Sequence, residues 1–247
     1  MWRGSMSLEE RFKHFLTPPR LYMKYRVAKE MWRGEKELRL LSFLVDSTRN
    51  ALDIGANKGV WSEVLREKCT HVHAFEPNPK MFSLLKSGAG RNVTCHQIAL
   101  SDSSGVAEFR VPRGRSGNYS NQGGSLSSDK VSENYGQVSV ETLRLDDMDV
   151  GRVGFMKIDV EGFEMQVLDG ASKIIARDKP VMIIEIEECH NKRPIEESIA
   201  KVEALGYSTF VLRDDVLTPV SKVNMNDRHR IAVGSRMYIN NFIFLPA

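Results

Sequence analysis

Short apolar runs alternate with segments of helical periodicity along most of this chain. The runs predict strands at 51–54, 71–75, 93–98, 154–160 and 181–186. Between them, apolar residues recur three and four positions apart, as at Trp61, Val64 and Leu65, which indicates helices that bury one face. Repeated strand–helix units predict an α/β fold with a doubly wound, mainly parallel sheet. Two late apolar runs, 208–212 and 238–245, have no helix between them and predict one antiparallel strand near the edge of that sheet.

The length of 247 residues suits one α/β domain with additions. We expect this domain to span residues 38–247, with an insertion at 105–145, and to follow a basic helical cap at 1–37. Up to Lys36 the chain has nine basic side chains and four acidic ones. Such a segment can pack over the sheet or the acceptor pocket, which we favour, or make peripheral contact with an anionic membrane surface.

The predicted insertion contains two apolar runs, at 106–111 and 138–145, that indicate a hairpin-like pair of strands. Residues 113–137 between them are rich in Gly and Ser. A loop of this length in a compact domain is usually functional or disordered. We favour a lid over the acceptor site, with plain disorder as the alternative.

Composition and charge exclude several functional classes. The net charge of +3 is too small to predict nucleic-acid binding. The three cysteines, Cys69, Cys95 and Cys189, have no CxxC spacing, which favours a reducing compartment over a disulfide scaffold or a zinc site. The N-terminus lacks the apolar core of a signal peptide, and no apolar run is long enough to span a membrane. We therefore expect a cytoplasmic enzyme.

The end of the first strand and the end of the second carry the pattern of a cofactor site. The first runs into a turn with Gly55, Asn57 and Gly59, and the second ends at Glu76, followed by Pro77, about twenty residues later. Glycines let the backbone approach a ligand, and an acid at this position binds ribose hydroxyls. The two features together predict a cofactor that contains adenosine.

Asp53, two residues before the turn, indicates which cofactor. A dinucleotide site has the order G-x-G-x-x-G and places pyrophosphate at the helix N-terminus, where a neighbouring carboxylate would repel it. Here the order is D-x-G-x-N-x-G. A carboxylate beside the ammonium group of an amino acid is favourable, so the pattern predicts S-adenosylmethionine (SAM). The alternative is an ordinary tight turn with an aspartate and two glycines.

Polar residues end two other predicted strands. Lys157, Asp159 and Glu161 share one side of their strand, and Glu185 lies on a strand that would pass about 4.8 Å away if the two are neighbours. One interpretation is a structural ion pair between Lys157 and Glu185. The other is a cluster that removes a proton from a substrate hydroxyl, with Asp159 as first choice, then Glu161, then His190. A divalent metal could also lower the pKa of the hydroxyl, but the spacing does not require one.

Several blocks of the chain resemble the FkbM-type methyltransferases. They are Asp53-Ile54-Gly55-Ala56-Asn57-Lys58-Gly59, Phe75-Glu76-Pro77-Asn78-Pro79, Lys157-Ile158-Asp159-Val160-Glu161-Gly162-Phe163-Glu164, Leu168-Asp169-Gly170-Ala171 and Ile183-Ile184-Glu185. The resemblance implies a Rossmann-like class I methyltransferase that moves a methyl group from SAM to an oxygen. Members of this family act on varied hydroxyls, including those of sugars and polyketides.

The resemblance also implies roles for individual residues. Gly55, Asn57 and Gly59 would contact the methionine part of SAM, and Glu76 would bind the ribose. Ile98 and Ala99 would flank the adenine, although no acid stands at Ala99 to bind the adenine amino group.

We therefore expect a SAM-dependent O-methyltransferase that acts on a small molecule or glycan, with a carbohydrate or glycolipid hydroxyl as acceptor. A nicotinamide-dependent oxidoreductase is one alternative, which the missing third glycine and Asp53 disfavour. The other alternative is a cofactor-binding partner subunit without catalysis, which the polar strand ends disfavour.

Overall fold

The computed structural model describes residues 19–112, 126 and 135–247. The first part of the predicted cap, up to residue 18, and most of the predicted lid therefore lie outside the described residues. The described part of the cap begins with helix α1 (Pro19–Arg33). A proline at the first position of a helix sacrifices no hydrogen bond, because the N–H group there has no partner within the helix.

Each predicted apolar run contains a strand. The strands are β1 (Asn50–Ile54), β2 (Val72–Phe75), β3 (Val93–His96), β4 (Ala99–Leu100), β5 (Gly105–Pro112), β6 (Tyr135–Leu143), β7 (Val153–Ile158), β8 (Val181–Glu185), β9 (Tyr207–Arg213), β10 (Val216–Pro219) and β11 (Asn241–Pro246). The short strands β4 and β10 are additional to the predicted runs.

Eight of these strands form one sheet with the order β10-β9-β11-β8-β7-β1-β2-β3. All neighbours from β8 to β3 pair in parallel. The predicted antiparallel strand is β11, which lies between β8 and β9 and runs antiparallel to both. A second antiparallel strand, β10, pairs with β9 at the edge; it was not predicted, because its four residues are largely exposed and show no apolar run. The prediction of a mainly parallel α/β sheet is confirmed.

Helices cover both faces of the sheet. Besides α1 they are α2 (Leu41–Leu44), α3 (Val60–Leu65), α4 (Pro79–Gly88), α5 (Glu164–Gly170), α6 (Ser172–Asp178), α7 (Glu188–Asn191) and α8 (Ile195–Glu203). On one face, Leu41 and Leu65 pack in a cluster with Phe155 of β7. On the other, Ile175 and Ile199 belong to a larger cluster. Because both faces are covered, every residue of β7 is buried.

A second, smaller sheet lies in the predicted insertion. Its strands β5 and β6 pair antiparallel from Gly105–Thr142 to Pro112–Tyr135. The short strand β4 pairs in parallel with β6. Ala99, Phe109 and Val140 form a separate small core here. The two apolar runs of the insertion thus form the hairpin-like pair that they predict.

Two parallel strands each end two residues earlier than their apolar runs predict, and this decides where the polar residues lie. Strand β3 ends at His96 and β7 at Ile158. The backbone N–H of Asp159 still donates to the carbonyl oxygen of Ile54 at 2.9 Å. Glu161 then has a left-handed backbone with φ 55°, so the chain turns away from the sheet immediately after Asp159.

Helix α1 packs against α3 and α4 on the outside of the first face. Met23 is its buried anchor, and the methyl group of that side chain reaches Gly59 and Gly88. Within the described part of the chain, no helix combines the length and apolar character needed to cross a bilayer. Peripheral membrane contact through residues 1–37 stays a prediction.

We expect Phe155→Ala to lower the free energy of unfolding by about 3–5 kcal/mol, because truncating a fully buried aromatic side chain leaves a cavity. The matched control is Phe43→Ala, since Phe43 is 87% exposed in α2, and its change should stay within about 0.5 kcal/mol. Urea denaturation of the three proteins measures both values. Equal losses in the two variants would contradict the assignment of Phe155 to the core.

Candidate active site

A cleft of about 840 Å³ opens at the carboxyl ends of β1, β2, β7 and β8. Open α/β sheets bind ligands at this edge, and the volume suits a small-molecule ligand. The predicted site residues that line the cleft are Gly55, Asn57, Glu76, Pro77, Ile98, Ala99, Asp159 and Glu161. The predicted residues that do not are Asp53, Gly59, Lys157 and His190.

The glycine turn lies directly against the end of β7. Gly55 has φ +83°, and a Cβ atom at this position would overlap the carbonyl oxygen of Asp159. Only glycine therefore allows the turn and Asp159 to approach so closely. Gly59 also has a positive φ, +87°, but it packs against Leu85 of α4 rather than facing the cleft. Its role is to shape the turn.

Asp53 is buried at the end of β1 and does not line the cleft. Its side chain is 1% exposed, and one carboxylate oxygen accepts a hydrogen bond from Ser62 Oγ at 2.5 Å. Burial raises the pKa of Asp53 to about 6, against the hydrogen bond from Ser62. Contact between Asp53 and the ammonium group of a cofactor stays a prediction. Asp53 ties the first strand to the helix after the turn.

Glu76 lies where the sequence predicts an acid for the ribose. Its two carboxylate oxygens accept hydrogen bonds from the backbone N–H groups of Asn57 and Asn78, each at 2.8 Å. Burial raises the pKa of Glu76 to about 7, and the two backbone hydrogen bonds oppose the rise. Each carboxylate oxygen keeps a lone pair for a further donor, so Glu76 can bind hydroxyl groups in the cleft while it fixes both neighbouring turns.

An apolar wall continues from Glu76 along the cleft. The backbone N–H of Glu76 donates a hydrogen bond to the carbonyl oxygen of His96, the last residue of β3. Shortly after His96 in the chain, Ile98, Ala99 and Leu100 line the cleft. These residues offer a flat apolar surface, suited to an aromatic base, and carry no acid. The predicted place for the adenine is thus part of the cleft.

Lys157 lies beneath the cleft floor and connects three strands. Its ammonium Nζ is 2.9 Å from the side-chain oxygen of Asn241 on β11 and 3.7 Å from Glu185 Oε2 on β8. It also lies 5.2 Å from the ring centre of Trp61. The side chain is 1% exposed, so the structural ion pair considered from the sequence is present. Asn241 was missed, because nothing local marks an asparagine near the C-terminus as a partner of Lys157.

The carboxyl groups around Lys157 hold their protons more tightly than usual. Burial, followed by repulsion from Glu185, raises the pKa of Asp159 well above its ordinary value. Burial also raises the pKa of Glu185 to about 7, although Lys157 opposes the rise. For Lys157 itself, burial alone would lower the pKa, but the surrounding carboxylates outweigh burial and raise it. The cluster therefore contains a cation and acids that keep their protons to a higher pH than usual.

Glu35 joins this cluster from the segment after α1. Its Oε2 accepts a hydrogen bond from Trp61 Nε1 at 2.5 Å, and burial raises the pKa of Glu35 to about 7. Glu37 also lines the cleft. Neither residue was predicted as part of the site. Both lie in the predicted basic cap, and only contacts with distant parts of the chain show that their side chains reach the cluster.

Glu161 and His190 form a pair at the side of the cleft. Glu161 lines the cleft, and its Oε2 lies 3.4 Å from His190 Nε2. His190 Nδ1 lies 3.8 Å from Glu187. His190 belongs to α7, and it does not line the cleft. His190 is therefore placed to orient Glu161 rather than to contact a ligand itself.

Among the described residues, one group could offer ligands to a metal ion. Glu187, Cys189 and His190 place one potential ligand atom each within 4.8 Å of one another. They lie beside the cleft and do not line it. A thiol and an imidazole are not the oxygen ligands that Mg²⁺ prefers, so this group does not match the metal role considered from the sequence.

Comparison with known proteins identifies the family. The model of the methyltransferase FkbM domain matches residues 53–209. The chain belongs to the FkbM methyltransferase family. The match includes the glycine turn, Glu76 and the strand that ends before Asp159, so the resemblance seen in the sequence blocks is confirmed.

Individual relatives agree with this FkbM assignment. The hexuronic acid methyltransferase AglP of Haloferax volcanii is 27% identical over 200 residues, which cover 75% of this chain and 78% of AglP. Methyltransferase 1 of Beauveria bassiana is 28% identical over 200 residues, covering 70% and 78%. Among solved structures, the FkbM methyltransferase of Methylobacillus flagellatus has a TM-score of 0.51 at 17% identity, covering 80% of this chain and 44% of that one. The predicted class I SAM methyltransferase fold is confirmed.

The cleft of this FkbM protein suits SAM. The backbone of the turn at Gly55 and Asn57 lines the cleft, and Glu76 has acceptor capacity for ribose hydroxyls. The carboxylates of Asp159, Glu161 and Glu185 line the same cleft and would favour the positive charge of a sulfonium group. Gly55, Asn57, Glu76, Ile98 and Ala99 are the residues that would hold the cofactor.

We expect Lys157→Met to lower the free energy of unfolding by about 3–5 kcal/mol at pH 8, because it leaves buried carboxylates without their cation. The loss should be smaller at pH 5. Acids with a raised pKa are neutral in the folded state below that pKa, so the missing cation costs little there, and the cost grows as pH rises through about 7 for Glu185.

Denaturation curves at the two pH values measure this difference. Lys173→Met is the matched control, since Lys173 is exposed on α6, and its effect should be small at both. A loss in Lys157→Met that is equal at pH 5 and pH 8 would contradict the role of Lys157 as counter-ion.

Proposed function

We propose that this FkbM methyltransferase transfers a methyl group from SAM to a hydroxyl oxygen of a carbohydrate or glycolipid. The observation that carries the proposal is the contact between Gly55 and Asp159. The glycine turn lies directly against the backbone carbonyl group of Asp159, and both Gly55 and Asp159 line the cleft. A cofactor bound on the turn would therefore share the cleft with the acid that we propose as proton acceptor.

The side chains suggest how the hydroxyl would be activated. When bound, SAM supplies an electrophilic methyl group, and the acceptor hydroxyl must lose its proton as it attacks. The carboxylate of Asp159 accepts this proton, since its raised pKa makes it a stronger base than an ordinary aspartate. Lys157 stays protonated beneath the floor and keeps the negative charge of Asp159 tolerable. Glu161 lines the cleft and orients the acceptor.

A sugar acceptor is supported by the relative AglP, whose name states that it methylates a hexuronic acid. The cleft volume of about 840 Å³ also suits a sugar beside the cofactor.

No observation specifically supports either of the two alternative functions that the sequence leaves open. A nicotinamide dinucleotide would bring a diphosphate to a cleft lined by Asp159, Glu161 and Glu185, and a non-catalytic subunit would not need acids with raised pKa values. Cytoplasmic location stays a prediction.

We expect Glu76→Ala to weaken binding of S-adenosylhomocysteine at least about tenfold, because it removes charge-assisted hydrogen bonds. The control is Glu108→Ala, an exposed acid on β5 outside the cleft lining. Calorimetry on variants with unchanged melting temperature measures the affinities. Thermal stabilisation of the unaltered protein by NADH, and not by S-adenosylhomocysteine, would contradict the assigned cofactor.

We expect Asp159→Asn to bind S-adenosylhomocysteine normally but to lower turnover by about 10²–10⁴-fold, because it removes the proton acceptor and keeps the shape. Initial rates with radiolabelled SAM and a panel of glycosides measure turnover, with the exposed Asp169→Asn as control. The rate of the unaltered protein should rise with pH to a midpoint above the ordinary aspartate pKa, since only ionised Asp159 accepts a proton. Normal turnover by the Asn variant would leave Asp159 a structural role.

A further inference from the structure

Positive side chains also line the cleft, and they differ in whether a carboxylate neutralises them. Arg26 pairs with Glu30 at 3.7 Å and Arg213 with Asp214 at 3.5 Å. Arg228 and Arg236 line the same cleft. Within the described part of the chain, neither has a side-chain hydrogen bond or an ion pair. Arg228 is only partly exposed, so its charge lacks full hydration as well as a partner.

The segment 226–240 carries both arginines, and its ends are bonded to each other and to the body of the protein, where the backbone N–H of Glu188 donates to His229 Nε2 at 3.4 Å. The buried His229 bonds through Nδ1 to the carbonyl oxygen of Ile239 at 2.7 Å, and its ring stacks on Tyr238. The backbone N–H of Ile239 donates to the carbonyl oxygen of Arg228 at 2.9 Å. The two ends of the segment are thereby tied together, and the position of Arg228 is defined.

Arg230, two residues after Arg228, shows what a neutralised arginine looks like here. Its guanidinium group forms hydrogen bonds with Glu188 and Glu196, the shortest at 2.6 Å. It faces the body of the protein, whereas Arg228 faces the cleft. Within the same short segment, the charge of Arg230 is therefore neutralised by carboxylates of the protein, whereas the guanidinium group of Arg228 is available to a ligand.

The segment also leads directly to the proposed reaction centre. Asn240 donates to Glu185 Oε1 at 2.8 Å, and Asn241 bonds Lys157 at 2.9 Å. Arg236 precedes Asn240 by four residues, so their Cα atoms lie within about 14 Å even if the chain is extended. A ligand of one or two sugar rings can reach from the acid cluster to Arg236.

We propose that the acceptor is an acidic sugar, whose carboxylate or phosphate group binds Arg228 and Arg236 while the hydroxyl to be methylated lies at Asp159. This inference rests on the proposed methyl transfer and specifies its substrate class. A guanidinium group binds carboxylate and phosphate oxygens through paired hydrogen bonds. Acids also line the cleft, so an anion is attracted only to the part beside Arg228 and Arg236, whose charges no carboxylate offsets within the described residues. In this arrangement the acidic group of the sugar lies at the two arginines, away from the carboxylate of Asp159. Binding of the acidic group to the arginines therefore directs the neutral hydroxyl of the same sugar to Asp159.

The methyl donor also has a carboxylate, and the test separates the two ligands. Binding of 4-nitrophenyl β-D-glucuronide, glucose 6-phosphate and 4-nitrophenyl β-D-glucoside is measured by calorimetry on the protein saturated with S-adenosylhomocysteine. We expect at least one anionic probe to bind about tenfold or more tightly than the neutral glucoside. The stronger of the two anionic probes tells whether a carboxylate or a phosphate is recognised.

The double variant R228Q/R236Q should lose this preference and keep its affinity for S-adenosylhomocysteine. The matched control R91Q/R193Q removes two exposed positive charges outside the cleft lining and should keep the preference. Equal binding of charged and neutral probes by the unaltered protein would overturn the acidic acceptor but leave methyl transfer to neutral sugars. Weaker binding of S-adenosylhomocysteine by R228Q/R236Q would assign the arginines to the cofactor and overturn the inference. Absence of S-adenosylhomocysteine binding by the unaltered protein would overturn the proposed function itself.

Discussion

The edge of the sheet that forms the cleft depends on the contacts of one buried group, the ammonium group of Lys157. It joins β7 to β11 through Asn241 and to β8 through Glu185. Removing a charge from water costs several kcal/mol, and only close partners of opposite charge offset this cost. The positions of the three strand ends are therefore coupled to one cation. The cleft above it has a floor whose shape and charge are set before any ligand binds.

Burial of this cation brings acids together that would otherwise repel one another. Asp159, Glu185 and Glu35 each have a raised pKa, chiefly because of desolvation. The arrangement costs stability at high pH, where all three are ionised. For the methyl transfer proposed above, the raised pKa makes Asp159 a stronger base than an ordinary aspartate. Under the proposed function, the structural ion pair and the proton-accepting cluster are compatible, because the cation of the pair offsets the charge of the acids.

Residues outside the family-matched range 53–209 complete the cleft. Glu35 enters from the segment after α1, and Arg228, Arg236 and Asn240 come from the segment before β11. The matched range contains the glycine turn and Glu76, which are expected to hold the cofactor, together with Asp159. This division places features common to the family in the central sheet, and features able to select an acceptor in the flanking segments.

The sequence by itself determined the features that depend on neighbouring residues. Apolar runs predicted the parallel strands. The sequence also predicted that the turn around Gly55 and the acid Glu76 belong to the cofactor site, because turn geometry and strand ends depend on neighbouring residues. Only the tertiary structure decided that Asp53 is buried and bonded to Ser62 and that Lys157 lies beneath the floor with Asn241 as its partner. Both outcomes depend on contacts between segments that are far apart in the chain. Such contacts determine how deeply a side chain is buried, which groups pair with its charge and what its pKa is, so these properties cannot be predicted from neighbouring residues alone.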